Sequence, residues 1–149
     1  MINLSPKFRV AAGLLLALFL TGAWARFQIS RGELIFSPPR LIREPNGSYS
    51  YQGSASWYSR NSPGINPRTA NNEIFNDQAF TCAMWGTEFN RKVRVTNLKN
   101  GRTVILRVND RGPAGNYFLR GRVIDITEAA FHSLTDTRRG IIPVKVEVL

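Results

Sequence analysis

The chain has 149 residues, with 20 Lys and Arg against 10 Asp and Glu, a formal net charge of +10. One cysteine and one histidine exclude an internal disulfide framework and leave His132 with no partners for a zinc set or a Ser–His or Cys–His pair. No glycine-rich phosphate loop is present, so no cofactor or metal is expected, and carboxylates are the catalytic groups the chain offers.

Residues 1–25 read as a secretory signal. Lys7 and Arg9 precede the apolar run Val10 to Leu20, and "AWA" at Ala23 to Ala25 supplies the small residues a signal peptidase needs. The run is shorter than the ~20 residues of an ordinary transmembrane helix. An exported location, in the periplasm or cell envelope, follows. A basic exported protein calls for an anionic partner such as a cell-wall polymer or acidic glycan. The export signal argues against nucleic acid.

Residues 26–50 read as a tether. They carry "SPPR" and "REPNGS" without a sustained period, and a short strand is expected over Glu33 to Phe36. From Tyr51 to Leu149, short runs of Val, Ile, Thr and aromatics alternate with turn residues, the pattern of one small all-β domain. Cys82, among Phe80, Ala83, Met84 and Trp85, is expected to be a buried filler.

Lys92 to Leu98 and Arg102 to Val108 alternate polar and apolar residues around Asn100-Gly101, which predicts a hairpin with a two-residue type I′ turn. Val93, Val95, Val104, Leu106 and Val108 then face one interior. "AGNYFLRG" reads as a loop, and Arg122 to Ile126 as a strand. Thr127 is placed as the N-cap of one short helix, "EAAFHSL", with Glu128 in its first turn. Ile142 to Val148 is the last strand, with Pro143 near its start. Many strands with one helix suggest a small barrel.

Three acids resist a bland explanation. Asp110 ends a strand in "RVNDRGP", where it is either a turn former or a carboxylate held on a rigid element. Asp125 interrupts an apolar strand, as a buried acceptor or as one member of a catalytic pair. Glu73 is the third. The expectation is a groove into which Asp110, Asp125 and Glu73 all point. Tyr58, Trp57 and Trp85 offer faces for sugar rings or for core packing. Arg111 either holds the turn or binds a substrate carboxylate.

"GSASWYS" (Gly53 to Ser59), "RTANNEIFN" (Arg68 to Asn76), "FTCAMW" (Phe80 to Trp85), "KVRVTNLKNGRTVILRVNDRGP" (Lys92 to Pro113) and "GRVIDITEAAF" (Gly121 to Phe131) occur in that order. Together they resemble the rare lipoprotein A family over essentially all of residues 51–149. The resemblance implies an all-β, six-stranded double-psi β-barrel with one short helix, related to expansins and family 45 endoglucanases. It also implies a septal lytic transglycosylase. Such an enzyme cuts peptidoglycan glycan strands between N-acetylmuramic acid and N-acetylglucosamine without water, leaves 1,6-anhydro ends, and prefers strands stripped of stem peptides. By resemblance the catalytic residues are Asp110, Glu73 and Asp125. The candidate substrate-binding residues are Tyr58, Arg111, Thr69 and Trp85. A monomer is expected, with peptidoglycan glycan strands and envelope or divisome proteins as partners. Where the family commonly has a histidine, at the end of "LTAAH", this chain has Met84, a thioether that can neither give nor take a proton. That departure brings in a rival reading, an expansin-like barrel that binds glycan without cutting it; a structural or protein-binding barrel is the third.

The signal reading has a direct check. N-terminal sequencing of the protein from its native envelope is expected to begin at Arg26; intact Met1 in the cytosol is the opposite result.

Overall fold

The computed structural model describes residues 39–149. The expected signal at residues 1–25 and the strand expected over Glu33 to Phe36 lie outside the described residues.

Alternation in the sequence translates directly into one interior. In β4 (Lys92–Asn97) and β5 (Thr103–Asp110), Val93, Val95, Val104, Leu106 and Val108 are buried while Lys92, Arg94, Thr103 and Ile105 point outward. The register Val93↔Leu106 and Val95↔Val104 stacks these pairs across the hairpin. Its connection differs from the expected two-residue turn. Asn97 and Arg102 are joined by Asn97 N–H to Arg102 O, and the four residues between them carry the chain around. Only Gly101 takes a positive φ, 73°, so a type I turn closed by a left-handed glycine replaces the type I′ turn, which needs two such residues. The Asn97 side chain is the reason: its Oδ1 accepts from Lys99 N–H and so reinforces the longer loop.

The remaining strands are β1 (Arg40–Arg43), β2 (Tyr49–Tyr58), β3 (Thr81–Ala83), β6 (Arg122–Thr127) and β7 (Ile141–Val148). Around the barrel the order is β2-β6-β3-β5-β4-β7, closed by the β7–β2 pairing. β2–β6 and β3–β5 are parallel; the other barrel pairs are antiparallel. Six strands thus form a closed mixed barrel, and β1 adds a seventh on the flank of β2. The sheet therefore begins at Arg40, inside the segment read as a tether. Glu44 is the local cause: it accepts from Ser50 Oγ at 2.6 Å and pairs with Lys145 at 2.9 Å, which ties the β1–β2 hairpin to β7.

Closure buries Cys82, Val93, Val123, Ile124, Ile126, Ile142, Val144 and Val146 in one core, and the barrel form leaves its six strands no open edge. α2 (Glu128–Leu134) packs Ala130, Phe131 and Leu134 against it. Thr127 occupies the N-cap position, but its hydroxyl donates to Ala79 O and caps nothing. "AGNYFLRG" is not a plain loop, since Gly115–Leu119 forms a short helix, α1.

Gly53 on β2 is required by a close approach. A Cβ there would collide with Gly121 O and with Val123 Cγ1, across a register irregularity at Ser54/Ala55. The neighbours are backbone and a packed side chain, so neither yields easily. Gly53→Ala is expected to lower stability by about 1–3 kcal/mol, read as a lower urea midpoint with an unchanged m-value.

Candidate active site

β3 is only three residues long, yet it separates the two acids of interest. Ala83 is the register partner of Asp110 on β5 and of Asp125 on β6. The two carboxylates thus flank one small, buried side chain, with backbones about two strand spacings (~10 Å) apart. Above them passes the "RGP" turn, where Gly112 has no room to spare: a Cβ there would lie 3.1 Å from Ala83 Cβ and 3.3 Å from Asp125 Oδ2.

Asp110 resolves its two readings by dividing its oxygens. Oδ1 accepts from Ala70 N–H at 2.9 Å and from Arg111 N–H at 2.8 Å, which fixes the turn. Oδ2 has no partner among the described residues. Asp110 lines a cavity of about 320 Å³ with Arg68, Thr69, Ala70, Phe75 and Arg111. Of the three acids expected to share a groove, Asp125 and Glu73 do not line it.

Asp125 lies behind, on the far side of Ala83. Burial pushes its carboxyl above the usual range, and Asp110 adds to that; Ser56 and Arg122 pull the other way. Ser56 Oγ donates to Oδ1 at 2.5 Å, and Arg122 lies 3.8 Å from the same oxygen. The Arg122 guanidinium also sits 4.3 Å over the Tyr117 ring of α1. Plain strand alternation would put Arg122 and Asp125 on opposite faces. The extra residue in β6, where Ser54↔Arg122 is followed by Ala55↔Ile124, brings them to one side. Ser56 and Arg122 were therefore hidden from sequence patterning. The signal that could have found Ser56 is its place two residues before Tyr58 on one strand face.

Glu73 is committed elsewhere. Both of its oxygens are held by the Arg107 fork, at 2.7 and 2.8 Å, and Asn109 and Asn71 donate to it as well. The hydrogen bonds from Arg107 and then Asn109 lower its pKa to about 2. A carboxylate so held keeps no proton to give, so Glu73 braces the loop before β3 against β5. Thr69 spends its hydroxyl in the same loop, on Asn71 Oδ1 at 2.7 Å.

The aromatic and cationic candidates separate as well. Tyr58 is only 7% exposed and stacks on Phe75 with centroids 5.0 Å apart, so its ring face is covered and is not a sugar platform. Trp57 donates its indole N–H to Thr137 O and packs on the core. Trp85 is 47% exposed and is anchored to the "RGP" turn by its indole N–H on Pro113 O, at 2.7 Å. Arg111 lies 3.7 Å over Phe89 and donates to Met84 O, which favours its turn-holding role. Met84 itself is 2% exposed and belongs to the main core.

The closed six-stranded barrel with two parallel strand pairs is that of a double-psi β-barrel protein. Residues 50–146 match the lytic transglycolase family, and the chain belongs to it. A probable endolytic peptidoglycan transglycosylase RlpA of Nostoc sp. is 46% identical over 100 residues, 67% of this chain and 26% of that protein. The endolytic peptidoglycan transglycosylase RlpA of Vibrio cholerae is 36% identical over 110 residues, 74% of this chain and 39% of that protein. The chain thus spans between a quarter and two fifths of the length of these relatives. Among solved structures, a Streptomyces papain inhibitor superposes with a TM-score of 0.52 at 22% identity, covering 67% of this chain and 94% of that one. A variant Clavibacter michiganensis expansin in complex with cellohexaose gives 0.50 at 22% identity, covering 67% and 50%. Both likenesses concern the fold alone.

The Glu73–Arg107 pair has a pH signature. A carboxyl lowered from 4.5 to about 2 by folding stabilises the protein above pH 4.5, and that contribution disappears as pH falls towards 2. Glu73 is 40% exposed, so water screens the pair. Glu73→Gln is expected to cost about 1 kcal/mol at pH 7. The gap in melting temperature to wild type should close between pH 4.5 and 2.

Proposed function

We propose that this barrel is a lytic transglycosylase domain that acts on peptidoglycan glycan strands. It would cleave the bond between N-acetylmuramic acid and N-acetylglucosamine and leave a 1,6-anhydro end. The observation that carries this reading is the division of labour at Asp110, a residue that lines the cavity: one oxygen is tied to the backbone, and the other accepts no hydrogen bond among the described residues.

Asp110 and Asp125 flank one alanine and act together. In this mechanism Asp110 gives a proton to the glycosidic oxygen as the C1–O bond breaks. The negative charge left on the pair stabilises the oxocarbenium-like centre. Asp110 then takes the proton of the muramic 6-hydroxyl as O6 bonds to C1, which restores the starting state without water. The protein's own carboxylates carry every proton, and no cofactor is needed. Trp85 supplies an exposed face for a neighbouring sugar ring. The net positive charge of the chain favours an anionic polymer. Peptidoglycan as substrate implies an envelope location, consistent with an exported monomer.

Met84 favours a second reading, because the position expected to hold a histidine is filled by a buried thioether. An expansin-like barrel would keep the acids and bind glycan without cutting it.

Purified glycan strands without stem peptides discriminate the two: anhydro-ended fragments support the transglycosylase, and binding without fragments supports the second reading. Asp110→Asn is expected to lower cleavage by about 10²-fold or more. Its amide oxygen can still accept from Ala70 and Arg111, so the melting temperature should be nearly unchanged. Cleavage retained at wild-type level removes Asp110 from the mechanism.

A further inference from the structure

Three polar atoms at this site lack partners, and they complement one another. The Tyr58 hydroxyl is a buried donor with no acceptor. Asp110 Oδ2 and Asp125 Oδ2 accept no hydrogen bond among the described residues, where every bond to these side chains goes to Oδ1. Buried hydroxyls are rarely left unsatisfied, since each one forfeits its hydration without a replacement bond.

The fold brings the three together. On β2, Ser56 and Tyr58 point to one face, and their register partners on β6 are Asp125 and Thr127. Ser56 already donates to Asp125. One step further along, Tyr58 packs against Ala83 and Phe75 in a small cluster apart from the main core. Ala83 is the residue that stands between Asp110 and Asp125, and Phe75 lines the cavity that Asp110 lines. Tyr58 therefore occupies the wall behind the alanine, beside both acids. Burial raises the pKa of its phenol, and the negative charges of Asp110 and Asp125 add to that, so the hydroxyl keeps its proton and remains a donor.

We propose that Tyr58 is a positioning residue of the acid pair, its hydroxyl donating to the free oxygen of the carboxylate that is ionised at each stage of the proton's transfer. The role rests on the transglycosylase reading for its consequence in catalysis, but not for its effect on the acids. Nothing covalent changes at Tyr58. As the proton leaves Asp110, a hydrogen bond from Tyr58 holds the resulting charge in place, in a setting where the family's histidine position is occupied by Met84.

Tyr58→Phe keeps the ring stack on Phe75 and removes only the hydroxyl. The expected results are a melting temperature equal to or above wild type, a kcat about 10-fold lower with KM within about twofold, and a displaced acidic limb of the pH–rate profile. Titration of the Asp125 carboxyl by carbon-13 NMR gives a readout independent of turnover. Its midpoint should move upward by about half a pH unit or more in the variant, because a donor to the ionised form has been lost. An unchanged Asp125 midpoint overturns the proposal, as does activity lost only in step with the folded fraction. If the wild-type chain cleaves no glycan, the transglycosylase reading fails while the titration still decides the role of Tyr58. Should Tyr58→Phe fold poorly, 3,5-difluorotyrosine at position 58 keeps the shape and acidifies the hydroxyl. A shift of the Asp125 midpoint then supports the role, and no shift overturns it.

Discussion

The site depends on one spatial constraint: a single alanine separates two acids on the strands either side of β3 in a closed barrel. β3 contributes three residues, and Ala83 meets Asp110 on one side and Asp125 on the other. A larger side chain there would push against the Gly112 turn, where even an added Cβ would lie 3.1 Å from Ala83 Cβ and 3.3 Å from Asp125 Oδ2. Small residues at these two positions let the "RGP" turn fold down over the acids. The pair is consequently held by backbone on three strands rather than by flexible loops, which is the condition for a pre-organised site.

The same geometry sets an energetic conflict that the surroundings offset. A half-buried Asp125 charge is unfavourable, and desolvation pushes its carboxyl above the usual range. Ser56 and Arg122 relieve part of that cost from one side, and Arg122 is itself steadied by the Tyr117 ring. Glu73 lives under the opposite condition. With both oxygens in the Arg107 fork it stays ionised and braces the loop that carries Thr69 and Ala70. That loop in turn donates Ala70 N–H to Asp110. Two carboxylates with different roles thus arise from different neighbours, not from different chemistry.

Several features were legible in the chain itself. The core of the β4–β5 hairpin follows from strict alternation, and Cys82 is buried because its neighbours are apolar. α2 follows from the apolar spacing of Ala130, Phe131 and Leu134 after an acidic first turn. Asp110 stood out because it ends a strand on a turn, and Asp125 because it interrupts an apolar strand. The errors also have local causes. Asn100-Gly101 favours a tight turn, but Asn97 stabilises a longer one. Residues 40–50 look irregular because the contacts that make them a hairpin come from Ser50 and Lys145, not from periodicity.

By itself the sequence determined the class of fold, the run of strands, and which two acids leave the apolar pattern, because these depend on local alternation and on single residues out of place. Only the tertiary structure decided which candidates meet. Strands β3, β5 and β6 are far apart in the chain, and their register places Asp110 and Asp125 around Ala83. One extra residue in β6 turns Arg122 towards Asp125. Stacking on Phe75 removes Tyr58 from the surface and leaves its hydroxyl without a partner. Pairing between distant strands and burial belong to the closed barrel as a whole, so no window of neighbouring residues contains them.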